Sequence, residues 1–96
     1  MIKRSGGRMQ VSGNMTMATA SALFKDGLQV EPGSNLVIDF SQLEKVDSSA
    51  VSLMLVWLRE AKRNNVNLSF AHVPENLSSL SKLYGVAELL PLSAAE

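Results

Sequence analysis

The sequence predicts a single small α/β domain in which a mostly parallel sheet is packed against helices. Three short segments with strand character alternate with three segments of helical periodicity, in the order β-α-β-α-β-α. Strands separated by helical crossovers are expected to run parallel. The 96 residues, of which 46% are hydrophobic, suffice for one domain with one modest core.

The first strand and the first helix follow a basic, glycine-rich start. Residues 1–7 are expected to form a flexible tail, so the predicted domain spans residues 8–96. Residues 8–12 alternate between polar and apolar side chains, which predicts a short half-buried strand. A helix is expected from about residue 17 to residue 29, because apolar residues recur there at helical spacing. Its predicted core face comprises Ala20, Leu23, Phe24 and Leu28.

Two further strands flank the longest predicted helix. Residues 36–40 are nearly continuously apolar, which is typical of a strand covered on both faces. Residues 41–45 are expected to be a connector, and the central helix is predicted over about residues 48–64. Residues 66–71 alternate again and predict the third strand.

The C-terminal part of the chain carries a third helical pattern. Its apolar residues are Leu77, Leu80, Leu83 and Tyr84, and Gly85 is expected to stop the helix. An apolar piece over residues 86–92 follows, in which Pro91 would end any further helix.

The central helix is apolar on two sides. Its predicted core face comprises Val51, Met54, Leu55, Leu58 and Ala61. The second face comprises Ser49, Ser52, Leu53, Val56, Trp57 and Glu60. A neighbouring helix could cover this second face, but a domain of this size has little mass with which to cover both. Since monomers rarely expose large apolar patches and tryptophan often anchors interfaces, the second face is predicted to bind a partner protein.

The cluster Asp47, Ser48 and Ser49 opens the central helix. Asp47 or Ser48 is expected to accept hydrogen bonds from the free amides of the first turn, and capping alone would explain the cluster. Ser49 is expected to point toward the second face, where a phosphate would add about −1.5 to −2 charges. We therefore predict Ser49 as a phosphorylation site that switches docking off. The predicted partner-binding residues are Asp47, Ser48, Ser49, Ser52, Leu53, Val56 and Trp57.

Composition excludes several classes of function. Nine basic and nine acidic residues give a net charge of zero, whereas nucleic-acid binding favours a basic face. The chain has no cysteine, which excludes disulfides and thiolate metal sites. Its longest apolar stretch is far shorter than the roughly 20 residues that span a bilayer. A cytoplasmic protein is expected.

An enzymatic activity is not expected either. A serine nucleophile needs a histidine base, and the only histidine, His72, is predicted to be an exposed or capping residue at the end of the last strand. The sequence contains no phosphate-binding glycine motif and no metal-ligand spacing. Neither a cofactor nor a metal is therefore expected.

Residues 36–41 followed by Val46-Asp47-Ser48-Ser49-Ala50-Val51 and an apolar helix resemble the STAS domain family. The resemblance covers about residues 8–92 and implies a STAS-like α/β fold. The family includes bacterial anti-sigma-factor antagonists, in which the second serine of a similar motif takes a phosphate. By position that serine is Ser49, and the partner that this branch implies is an anti-sigma kinase.

A second branch of the family, the MlaB-like STAS subunits of Mla phospholipid-transport ABC complexes, is more similar. Its C-terminal Lys-Leu-Tyr resembles residues 82–84, and its critical threonine matches Ser48. This resemblance implies a non-catalytic cytoplasmic protein that binds and supports an MlaF-like ATPase subunit and reaches the inner membrane only through the complex. The transport role is the first hypothesis, and the anti-sigma switch is the alternative.

Overall fold

The computed structural model describes residues 2–28 and 31–85, which form a four-stranded sheet and a layer of helices. The elements are β1 (Ile2–Ser5), β2 (Arg8–Met15), α1 (Met17–Asp26), β3 (Asn35–Val46), α2 (Ser48–Arg63), β4 (Asn67–Ala71) and α3 (Glu75–Leu83). The apolar piece predicted over residues 86–92 lies outside the described residues.

The sheet has the order β1-β2-β3-β4 and is mostly parallel. β3 pairs in parallel with β2 and with β4, and β1 pairs antiparallel with β2. α2 contacts both α1 and α3, so the helices form one layer. This arrangement confirms the predicted fold class, a single α/β domain with helices packed against a mostly parallel sheet.

The two faces of the sheet differ in polarity. Met9, Ile38 and Phe70 lie in one register row and are fully buried. The neighbouring row contains Lys3, Gln10 and Asp39, which occupy the other face because successive side chains of a strand alternate. The helices therefore cover the apolar face, and the opposite face is polar.

The prediction of a flexible tail over residues 1–7 is wrong for residues 2–5, which form β1. β1 and β2 are a hairpin in which Ser5 pairs with Arg8 across the loop Gly6-Gly7. Gly6 has φ 59°, the positive φ that two-residue hairpin loops require. The element order is consequently β-β-α-β-α-β-α. The Gly-Gly pair is a sequence signal for a hairpin loop. The sequence of β1, however, is so short and polar that it also fits an unstructured N-terminus.

The predicted connector over residues 41–45 is also wrong, because β3 continues to Val46. Its second half pairs only with β2, since β4 ends at Ala71 opposite Asp39. Two register irregularities accompany this extension. With one neighbouring strand, residues 41–45 stay largely solvent-accessible and polar, which hid their strand character in the sequence.

The core is built around three aromatic rings. Trp57 of α2 stacks on Phe40 of β3 at 6.5 Å between ring centroids, and Phe40 stacks on Phe70 at 5.7 Å. Trp57 has no exposed surface. The buried residues of α2 are Ala50, Val51, Leu53, Met54, Trp57 and Ala61.

This core corrects the predicted faces of α2. Leu53 and Trp57, which were expected to bind a partner, are buried within the single chain. Leu55 and Leu58, which were expected in the core, are only half-buried. The apolar face of α2 is so wide that the periodicity does not show which part of it faces the sheet. In the structure, the side that carries Trp57 packs against the sheet.

Candidate functional site

The N-termini of α1 and α2 meet at the carboxylate of Asp47. Asp47 is the N-cap of α2, and its Oδ1 accepts a hydrogen bond from the Ser49 amide at 2.8 Å. Its Oδ2 accepts a hydrogen bond from the Met17 amide, in the first turn of α1, at 3.0 Å. One side chain thus satisfies free amides of two helices and fixes their relative position.

These two amides lower the pKa of Asp47, the Met17 amide most and the Ser49 amide next. Both hydrogen bonds favour the ionised carboxylate. A lowered pKa in the folded chain means that the stabilisation is complete above the ordinary pKa of aspartate. It is lost as the pH falls through the folded-state value.

Asp39 has a lowered pKa as well. Burial acts to raise it, but hydrogen bonds from the Ser41 amide and hydroxyl and the guanidinium of Arg8 together outweigh burial. Arg8 Nη2 lies 3.0 Å from Asp39 Oδ2 on the polar face of the sheet. Both aspartates therefore contribute to acid unfolding in the same direction.

We expect Asp47→Asn to lower the melting temperature at pH 7 by a few degrees and to weaken the pH dependence of stability below about pH 4. The amide keeps one acceptor oxygen, so it can cap only one of the two helices. Thermal unfolding followed by circular dichroism from pH 2 to 7 measures both effects. Asp39→Asn, measured in the same way, gives the separate contribution of the second aspartate to the pH dependence of stability. An Asp47→Asn protein with wild-type melting temperatures throughout would contradict the double cap.

A groove runs between α1 and α2. It has a volume of about 270 Å³ and is mostly apolar. We call it the α1–α2 groove. Its lining residues are Ala20, Ser21, Phe24, Ser49, Ser52, Leu53 and Val56.

A second groove, the α2–α3 groove, lies on the other side of α2. It has a volume of about 330 Å³ and is lined by Ser48, Val51, Ser52, Leu55 and Tyr84. Ser52 lines both grooves and is exposed, so it stands on the ridge between them. Ser48 and Ser49 thus open into different grooves, although they are adjacent in sequence.

The structure brings together most of the predicted partner-binding residues, but some of them lie at the surface and others are buried beneath it. Ser49, Ser52 and Val56 are accessible along the α1–α2 groove, and Leu53 contributes only to its floor. Trp57 lies beneath this surface, in the core, and the prediction that it anchors a partner is wrong.

None of the large exposed apolar side chains was among the predicted partner-binding residues. Among the described residues they are Met17 (78% exposed), Phe24 (57%), Leu83 (76%) and Tyr84 (54%). Phe24 was assigned to the core face of α1, but the structure buries Leu23 on that face and leaves Phe24 exposed. Leu28 is buried as well, beyond the end of the helix at Asp26. Met17 and Phe24 are seven residues apart in α1 and share one face, which is the signal that could have identified them.

The part of the chain that the structure describes contains no group of three or more His, Asp or Glu side chains placed to hold a metal ion. His72 is exposed at the end of β4. None of the described helices is long and apolar enough to cross a membrane.

Comparison with known proteins identifies a family. A family described as "Mlab, STAS domain" matches residues 2–91. The structure is similar to that of the anti-sigma factor antagonist SpoIIAA in its unphosphorylated form, with a TM-score of 0.71 and 14% identity over 98% of this chain and 87% of the other. It is also similar to a sulfate transporter family protein from Wolinella succinogenes, with a TM-score of 0.68 and 13% identity over 94% of this chain and 75% of the other. No curated protein matches the sequence. At these identities the two structures establish the fold alone.

Proposed function

Because this chain belongs to the MlaB-type STAS domain family, we propose that it is the cytoplasmic subunit that binds and supports the ATPase of an ABC phospholipid transporter. STAS domains are protein-interaction modules. The proposed partner is an MlaF-like ATPase, which hydrolyses ATP itself. This chain takes part in no chemical step and is held at the inner membrane only through the complex.

The distribution of exposed apolar side chains is the observation that carries this proposal. Phe24 lines the α1–α2 groove and Tyr84 lines the α2–α3 groove. Met17 begins α1 beside Asp47, and Leu83 ends α3. The large apolar side chains at the described surface therefore lie on the two helices that flank α2, and none lies on the polar sheet face. A partner that covers α2 would bury Phe24 and Tyr84 together, whereas Leu83 lines a separate hollow with Val46 and Leu80.

The first turn of α2 supplies polar contacts at the centre of this surface. Ser48 is exposed and lines the α2–α3 groove with Tyr84, and Ser52 is exposed on the ridge. In the MlaB-like branch the hydroxyl at the position of Ser48 is the critical one. We infer that the Ser48 hydroxyl forms a hydrogen bond with the ATPase inside an otherwise apolar contact.

We expect Ser48→Ala to weaken binding to the ATPase by about 2–13-fold, the effect of losing one hydrogen bond of about 0.5–1.5 kcal/mol. Ser49→Ala, the matched control in the same helical turn, is expected to have a smaller effect. The ATPase is first identified by affinity capture of the tagged chain from its native host. Dissociation constants of the purified pair are then measured by calorimetry. A larger loss in Ser49→Ala, or capture of an anti-sigma kinase in place of an ATPase, would contradict the proposal.

A second candidate function is an anti-sigma-factor antagonist that is switched by phosphorylation of Ser49. The observation that favours it is the position of Ser49, in the first turn of α2 and on the edge of the apolar α1–α2 groove. A phosphate there would bring about −1.5 to −2 charges onto an apolar docking surface. Mass spectrometry of the chain from its native host tests this role, which predicts a stoichiometric phosphate on Ser49.

A further inference from the structure

The α1–α2 groove continues into a basic region at the C-terminal end of α2. Phe24 and Val56 line both parts, so the two parts form one continuous surface. The second part has a volume of about 510 Å³. It is lined by Phe24, Val56, Arg59, Glu60, Arg63 and Asn64.

The cations of this region have no anionic partner among the described side chains. Arg59 and Arg63 are exposed, and neither forms an ion pair with a described carboxylate. Glu60 lines the same region and contributes one negative charge, although its Oε2 accepts a hydrogen bond from the Leu28 amide at 3.2 Å. It is outnumbered by the two arginines. Lys62, in the last turn of α2, is also exposed and adds positive charge. The groove is therefore apolar in its middle and positively charged at one end.

The dimensions of the groove match a helix. Ser49 and Arg63 are 14 residues apart in α2, which corresponds to about 21 Å at 1.5 Å per residue. A partner helix of about four turns would span this length. A channel between two helices receives the ridge of a third helix, with anchors at spacings of three and four residues. An extended peptide would instead pair with an open sheet edge.

We propose that the α1–α2 groove binds an amphipathic helix of the ATPase whose apolar side chains pack on Phe24 and Val56. Acidic residues at one end of that helix pair with Arg59 and Arg63. This inference rests on the proposed function and specifies the chemistry of the contact. The charged end fixes the direction in which the helix lies, because reversing the helix would place its carboxylates beside Asp47.

The charged end is expected to act mainly on the rate of association. Exposed ion pairs add little affinity, whereas complementary charges at the rim of an interface steer the encounter. We expect Arg59→Glu to slow association with the purified ATPase by about tenfold at low salt and to flatten the salt dependence. Stopped-flow measurements at several salt concentrations give both quantities.

Lys3→Glu is the matched control, because it reverses one exposed charge on the polar sheet face and is expected to change the rate by less than about twofold. Equal losses in the two variants would indicate a general charge effect and overturn the inference. A wild-type rate in Arg59→Glu, while Phe24→Asp weakens binding at least about tenfold, would overturn the acidic helix and leave the proposed function standing. If neither variant affects binding, the groove is not the contact, and the inference and the proposed surface both fail.

Two further measurements address other occupants of the groove. Vesicles containing phosphatidylglycerol test an anionic lipid, and sedimentation of the chain alone tests a second copy. We expect neither vesicle binding nor self-association to depend on Arg59. A loss of either in Arg59→Glu, with unchanged ATPase association, would assign the basic end to that occupant and overturn the inference. Recovery of Arg59→Glu binding by an ATPase with a reversed acidic residue in the docked helix would support it.

Discussion

Replacing Trp57 by alanine is expected to lower the free energy of unfolding by about 3–5 kcal/mol, the cost of removing a large buried aromatic side chain. Trp57 has no exposed surface and stacks on Phe40, which in turn stacks on Phe70. The cavity would therefore open where α2 meets the sheet. Since a domain of this kind is stable by only about 5–15 kcal/mol, Trp57→Ala is expected to lose a large part of its stability. Urea denaturation followed by circular dichroism measures the loss.

Two control variants show whether the loss of stability comes from the buried position of Trp57 or from removing any aromatic ring. Phe24→Ala removes an exposed ring and is expected to change the stability by no more than about 0.5 kcal/mol. Trp57→Phe keeps an aromatic ring against Phe40 and removes an indole N–H that has no acceptor among the described residues. It is expected to retain most of the stability. A Trp57→Ala protein with the urea midpoint of the wild type would contradict the position of Trp57 in the core.

Phe24→Asp is expected to weaken binding to the proposed ATPase partner by about tenfold to a hundredfold, while the chain stays folded. An aromatic side chain at the centre of an interface is typically worth about 2 kcal/mol or more. A carboxylate at this position would also have to be desolvated against Val56. Calorimetry with the purified ATPase measures the affinity, and circular dichroism confirms the fold.

The comparison variants for Phe24→Asp are Phe24→Leu and Lys3→Asp. Phe24→Leu keeps an apolar side chain and is expected to retain most of the affinity. Lys3→Asp places the same carboxylate on the polar sheet face and is expected to bind as the wild type does. Wild-type affinity in Phe24→Asp, or an equal loss in Lys3→Asp, would remove the α1–α2 groove from the interface.

The fold was predictable because the periodicity of its largest elements is strong. The alternation of helical and extended patterns correctly predicted α1, α2, α3 and a mostly parallel sheet. Asn65, just after the end of α2, has φ 57°, a left-handed conformation that asparagine tolerates. The errors arose where tertiary pairing outweighs local pattern. β1 is a short polar strand that is held in place by pairing with β2. The second half of β3 pairs only with β2, and its sequence is largely polar because it stays exposed to solvent.

The candidate site was less predictable, because a pattern of apolar residues does not say which ones the fold will bury. Trp57 was placed on the surface because the domain is small and tryptophan often anchors interfaces, yet in the structure its ring stacks on Phe40 of the sheet. Phe24 was placed in the core by its spacing from Ala20, yet α1 is rotated so that Leu23 faces inward. Asp47 was recognisable as a cap of its own helix. Its second hydrogen bond, to Met17, joins residues 30 positions apart and could come only from the structure.

Site-specific photo-cross-linking to the proposed ATPase partner tests most directly whether the helical layer is the partner-binding surface. A photoreactive amino acid is placed at position 24 on α1, at position 84 at the end of α3, or at position 3 on the polar sheet face. We predict that positions 24 and 84 cross-link to the ATPase in the assembled complex and that position 3 does not. Cross-links from position 3 alone would contradict the account, because they would place the partner on the opposite side of the domain.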